Sequence, residues 1–79
     1  MKQAYLFWYK SSQDAKTEYI YIIALSRKQA CYLFALKGYK RFYDYEEAPI
    51  DEVPLSKNAD YEVGTILGQY AILWTSTQK

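Results

Sequence analysis

The sequence predicts a two-layer α+β domain, a small and mostly antiparallel sheet in the order ββαβ(α)β with one main helix packed on one face. Three observations lead there. Two aromatic and β-branched runs flank a polar stretch near the N-terminus, a cap signal and a stop signal bracket a helix, and the C-terminal half breaks into short apolar runs separated by Pro and Gly. At 79 residues the chain is expected to form a single domain, residues 1–79. A domain this short buries only about 60% of the surface of its unfolded chain. The hydrophobic fraction of 51% and charged fraction of 24% are those of a chain that folds.

Residues 4–9 (AYLFWY) are apolar throughout, residues 11–16 (SSQDAK) are polar and turn-like, and residues 17–25 (TEYIYIIAL) are β-branched and aromatic. This is the pattern of a β-hairpin. A three-residue tip at Gln13, Asp14 and Ala15 would set Tyr9 opposite Tyr19, Phe7 opposite Tyr21 and Tyr5 opposite Ile23. Side chains alternate along a strand, so Leu6, Trp8, Ile20, Ile22 and Ala24 would then share the other face. That set is the more aliphatic and is expected to form the core under the helix, leaving Tyr5, Phe7, Tyr9, Tyr19 and Tyr21 on a partly open face.

Ser26 followed three residues later by Gln29 is a capping box, in which the hydroxyl satisfies an orphan amide and the Gln side chain reaches back. Ala30, Leu33, Phe34 and Lys37 recur at helical spacing, and Gly38 stands where a glycine ends a helix in the left-handed conformation. Residues 39–45 (YKRFYDY) predict a third strand. Residues 46–56 (EEAPIDEVPLS) predict an extended acidic loop, because Pro49 and Pro54 fit neither a helix interior nor a central strand. Asp60 can cap a short helix bearing Val63, Ile66 and Leu67, with Gly68 as its stop. A strand over residues 62–67 competes with that helix, since Gly64 and Thr65 are poor helix formers. Residues 70–75 (YAILWT) predict the last strand.

Composition narrows function by removal. The chain has no His and one Cys, so His-based acid–base catalysis, His/Cys zinc sites and an intrachain disulfide all drop out, and no cofactor is expected. No nucleophile, base or metal cage can be assembled, and a non-enzymatic protein is expected. Cys31 lies just inside the helix beyond Arg27 and Lys28; without a His partner it is expected to be a structural thiol. The longest apolar stretch, residues 19–25, is far short of the roughly 20 residues a spanning helix needs. A cytoplasmic, non-membrane protein is expected.

Charge and tyrosine point to macromolecular contact. Residues 1–41 carry eight Lys and Arg against two Asp and Glu, and residues 42–62 carry seven Asp and Glu against Lys57 alone, although the whole chain totals only +1. Such asymmetry allows a basic and an acidic patch on one small surface. Ten of the 79 residues are Tyr, whose ring buries apolar area while its hydroxyl stays wet. Tyr43, Asp44, Tyr45, Glu46, Glu47, Asp51 and Glu52 combine both features and are the candidate partner-binding residues. Spaced carboxylates on an extended chain resemble a line of phosphates and can occupy a basic nucleic-acid channel of another protein. The same residues can also be a solvated loop that aids solubility. As a calcium loop the run lacks the ligand alternation and turn glycine, so no metal is expected there.

Two other readings use different residues. The aromatic face of Tyr5, Phe7, Tyr9, Tyr19 and Tyr21, with Lys10, Lys40 and Arg41, could stack nucleobases directly. Lys37, Gly38 and Tyr39 begin the central motif of RNA-recognition sheets, but Lys40 and Arg41 break it. Alternatively the Tyr face could be buried in a homodimer.

The strand-to-helix joint Ala24-Leu25-Ser26-Arg27-Lys28-Gln29-Ala30, followed by Leu33-Phe34 and Gly38-Tyr39, resembles a pattern found in short bacteriophage accessory proteins of Gram-positive hosts. The resemblance covers residues 24–39. It implies a phage-encoded inhibitor of host defence, anti-CRISPR proteins among them, that binds a host protein stoichiometrically and presents an acidic surface to a DNA-binding groove. The +1 total departs from the most acidic DNA mimics and limits mimicry to a local patch.

Overall fold

The computed structural model describes residues 1–55 and 59–68. Its elements in chain order are β1 (Gln3–Lys10), β2 (Glu18–Ala24), helix α1 (Arg27–Leu36), a 3-10 turn (Tyr39–Arg41), β3 (Asp44–Tyr45), β4 (Asp51–Pro54) and β5 (Ile66–Gly68). The strands form one antiparallel sheet in the order β3-β1-β2-β5, with β4 also paired to β1. With α1 on one face this is the two-layer α+β architecture that the sequence predicts.

The helix begins and ends where its signals stand. Ser26 Oγ accepts from the Gln29 amide at 3.1 Å, and Gln29 Oε1 accepts from the Leu25 amide at 2.7 Å, so two orphan donors are satisfied reciprocally. At the far end the Gly38 amide donates to the Ala35 carbonyl at 3.0 Å with Gly38 at φ 92°. The atoms nearest to a Cβ added at Gly38 belong to the Arg41 guanidinium, at 3.2 Å, and that side chain can swing away. The backbone conformation is therefore the obstacle. Gly38→Ala is expected to cost about 1 kcal/mol, seen as a lower urea midpoint with an unchanged m-value; a midpoint equal to wild type would contradict the strained stop.

The hairpin forms one residue out of the expected register. Trp8 pairs with Tyr19, Phe7 with Ile20 and Tyr5 with Ile22, around a turn closed by Ala15 donating to Ser12 at 3.1 Å. A one-residue slip exchanges the faces of one strand relative to the other. Ile20, Ile22 and Ala24 do lie under the helix, but their β1 companions are Tyr5, Phe7 and Tyr9 rather than Leu6 and Trp8. Phe7 stacks on Phe34 at 4.4 Å, Phe34 on Tyr39 at 5.1 Å, and Tyr9 on Phe42 at 4.5 Å. The aromatic excess is thus largely core: flat rings fill the space between one short helix and the sheet. Half-buried Cys31 packs against the same cluster.

The other sheet face carries Ala4, Leu6, Trp8, Tyr19, Tyr21 and Ile23. At the Ala4 end it is covered by a second cluster in which Ala4, Tyr21 and Ile23 are buried against Leu6, Val53, Leu55, Tyr61 and Leu67. Lys2 ties the covering segment down, donating to Asp60 at 3.1 Å and to the Tyr61 carbonyl at 2.6 Å.

The C-terminal half differs most from expectation. Residues 39–45 hold a 3-10 turn and a two-residue strand in place of one long strand, because Tyr39 and Phe42 pack into the aromatic cluster around Tyr9 and Phe34 and only Asp44 and Tyr45 join the ladder. The expected acidic loop contains β4, whose Pro54 ends an outer strand where its missing N–H is harmless. Instead of an Asp60-capped helix, residues 63–64 form a turn with Gly64 at φ 95°, and Ile66, Leu67 and Gly68 pair with β2. The competing strand over residues 62–67 is therefore met only at Ile66 and Leu67, its first half being the turn, and Gly68 continues the strand rather than stopping a helix. The expected last strand, residues 70–75, lies outside the described residues.

Candidate functional site

The acidic residues lie along the β3–β4 edge of the sheet. Tyr45 pairs with Tyr9 and Asp44 with Lys10; Asp51, Glu52, Val53 and Pro54 pair with Leu6, Tyr5, Ala4 and Gln3. Between the two short strands the Glu46 amide donates to the Trp8 carbonyl at 2.9 Å and the Ile50 amide to the Leu6 carbonyl at 2.8 Å. Four steps along the edge therefore answer two steps along β1. The surplus bulges outward at Glu47 and Ala48, while Pro49 is buried.

Strand alternation sorts these carboxylates onto two faces. Glu52, opposite Tyr5, is on the helix side and meets Arg27 Nη2 at 3.5 Å; Arg27 Nη1 also donates to the Pro49 carbonyl at 3.1 Å. Glu47 meets Lys40 Nζ at 3.8 Å. Both ion pairs are solvent-exposed, a class worth about 0–1 kcal/mol, so they can be exchanged for other partners. Asp44 and Asp51, opposite Lys10 and Leu6, belong to the outer face. Their carboxylates accept from the next amide in the chain, at 3.0 Å and 2.8 Å, and among the described residues they have no cationic partner. Glu46 Oε2 accepts from Trp8 Nε1 at 3.3 Å, which places its carboxylate on that outer face as well.

The two candidate tyrosines divide similarly. Tyr43 is 60% exposed at the end of the edge, whereas Tyr45 is half-buried against the core, 6.2 Å from Phe34. Tyr43, Asp44, Glu47, Asp51 and Glu52 form the accessible part of the expected site, Glu46 is half-buried, and Tyr45 chiefly supports the fold.

The alternative aromatic face is corrected by the register. Tyr5 and Phe7 are buried under the helix, Tyr9 is half-buried among Tyr39 and Phe42, and only Tyr19 and Tyr21 belong to the opposite face, where Tyr21 is buried. These five side chains therefore offer neither a common stacking platform nor a common dimer face. Burial raises the pKa of the Tyr5, Tyr9, Tyr21 and Tyr39 phenols, and nearby charge adds to it, from Glu52 at Tyr5, Glu18 at Tyr9 and Asp51 at Tyr21.

No family model, curated protein or solved structure matches the chain. Among the described residues no group of three or more Cys, Asp or Glu side chains is placed to hold a metal ion, and no helix is long and apolar enough to cross a membrane.

Sequence reasoning missed Trp8. Placed in the core by the assumed register, it stands instead on the outer face, directly opposite Tyr19 and hydrogen-bonded to Glu46. Residues 4–9 are apolar at every position, so nothing in that run marked which parity faced the helix.

Proposed function

We propose that this chain is a non-enzymatic protein-binding module, a stoichiometric inhibitor of a host nucleic-acid-binding protein of the kind encoded by phages against host defence. Its contact surface is the β3–β4 edge, with Tyr43 as an anchor and the carboxylates of Asp44, Glu46, Glu47, Asp51 and Glu52 standing in for phosphates. The observation that supports this reading best is the arrangement of five carboxylates along one sheet edge, three of them without a cationic partner among the described residues. Like charges held along a hydrogen-bonded sheet edge keep their spacing when they meet a cationic groove, which favours fast, oriented association.

The experiment compares wild type with a triple variant, Asp44→Lys, Glu47→Lys and Asp51→Lys, all at exposed positions where charge reversal leaves the core intact. Tagged wild-type chain is incubated with nuclease-treated bacterial lysate, and the retained protein is identified by mass spectrometry. The expected partner binds nucleic acid, is displaced by duplex DNA, and is held at least about 100-fold more weakly by the triple variant, because like charges then face each other. Equal retention by the two chains, or direct binding of the purified chain to oligonucleotide without the protein, would reject this edge as the mimic.

A further inference from the structure

From the same outer face we infer that Trp8, Tyr19, Glu46 and Asp51 form a receptor site for an arginine side chain of a protein partner. This inference deepens the reading of the acidic edge as a protein-binding surface and names the group it would seize.

The site follows from pairing. Trp8 and Tyr19 are directly opposite across β1 and β2, so both side chains stand on the same face of the sheet, and Tyr19 is 38% exposed there. Directly opposed side chains on a sheet face have Cβ atoms about 5 Å apart. Leu6 and Tyr21, the next pair on that face, belong to the second cluster, which bounds the site on that side. Along the β1 side runs a wall of carboxylate: Glu46 touches the indole N–H of Trp8, and Asp51 pairs with Leu6 one step away on the same face. The Tyr21 phenol pKa is raised by burial first and then by the nearby Asp51 charge.

Ring faces attract a cation through their quadrupole, Trp most strongly, and a planar guanidinium can stack on the ring while its edge donates to a carboxylate. Glu46 is well suited to receive that edge. Its Oε2 is engaged by Trp8 while the rest of the carboxylate still offers acceptor sites, and it meets no cation among the described residues. Lys10, on this face next to Trp8, directs its ammonium to the Gln13 carbonyl at 3.3 Å, and among the described residues it makes no ion pair with these carboxylates. A nucleobase would also stack on Trp8 and Tyr19, but its phosphates would meet Asp44, Glu46 and Asp51; charge selects a cationic side chain. Arginine fits better than lysine because stacking and bidentate donation both need the planar fork.

The test titrates the full chain with a short peptide of alternating Arg and Ala, following the Trp8 indole N–H and Tyr19 ring resonances by NMR, with Trp8→Phe assigning the indole signal. Both sets of resonances are expected to shift saturably, with affinity falling as salt rises. The matching Lys peptide should bind more weakly, and Glu46→Gln should weaken the Arg peptide about tenfold, the loss of one charge-assisted contact. Asp51→Asn, which leaves the Trp8–Glu46 bond in place, should weaken binding without shifting the indole signal of the free chain. Absent shifts at millimolar peptide, affinities unchanged in both carboxylate variants, or equal shifts from a single-stranded DNA oligonucleotide would overturn the assignment. No host protein enters this titration, so its outcome is independent of the capture experiment.

Discussion

Phe34→Ala is expected to remove most of the stability of the fold. Phe34 is 1% exposed and touches rings on three sides: Phe7 at 4.4 Å, Tyr39 at 5.1 Å and Tyr45 at 6.2 Å. Truncating a buried Phe costs about 3–5 kcal/mol through lost transfer energy and the cavity left behind. Total stability near the low end, about 5 kcal/mol, is what a domain of this length commonly has. The loss is also unevenly shared, because the same ring joins the helix, the 3-10 turn and β3 to β1. Urea unfolding followed by circular dichroism measures it. Tyr32→Ala, two residues away on the same helix but 64% exposed, is the control and should change stability by no more than about 0.5 kcal/mol. Equal effects of the two substitutions would mean that the aromatic stack does not hold the layers together.

Alkaline pH should destabilise the fold with tyrosine as the cause. Tyr5, Tyr9, Tyr21 and Tyr39 all have phenol pKa values raised above the ordinary 10.0, first by burial and then by neighbouring charge. The folded chain therefore keeps protons that the unfolded chain gives up near pH 10. Stability from this source is whole below pH 10 and declines as pH rises from there through the raised native values. Urea midpoints measured between about pH 8 and pH 12 should hold steady and then fall, with tyrosinate absorbance appearing as the chain unfolds. Lysines also deprotonate in this range, so the deciding comparison is Tyr5→Phe, which keeps the buried ring and removes one phenol. Its midpoint should fall less steeply with pH; a decline parallel to wild type would exclude Tyr5 from the linkage.

Local chemistry was readable wherever the residues that define an element are neighbours in the chain. Ser26, Gln29 and Gly38 fix α1 because capping bonds span three or four residues, and each proved to be made as its type requires. The candidate site was readable in part for the same reason. That residues 43–52 form an acidic surface stretch is a matter of composition, and Tyr43, Asp44, Glu47, Asp51 and Glu52 are exposed. Which face each carboxylate serves was hidden, because it depends on pairing with Leu6, Tyr5 and Lys10 some forty residues away.

Sequence alone determined the fold class, the helix and its two ends, the presence of the N-terminal hairpin, and the segregation of negative charge into residues 42–62. Tertiary structure decided the hairpin register and everything that follows from parity. Tyr5, Phe7 and Tyr9 went beneath the helix, Trp8 went to the outer face, and Glu52 was parted from Asp51. The physical reason is that β1 is apolar at both parities from Ala4 to Tyr9, so alternation names no inward face. The choice between the two registers fell to the fit of flat rings against Phe34, a contact between residues far apart in the chain.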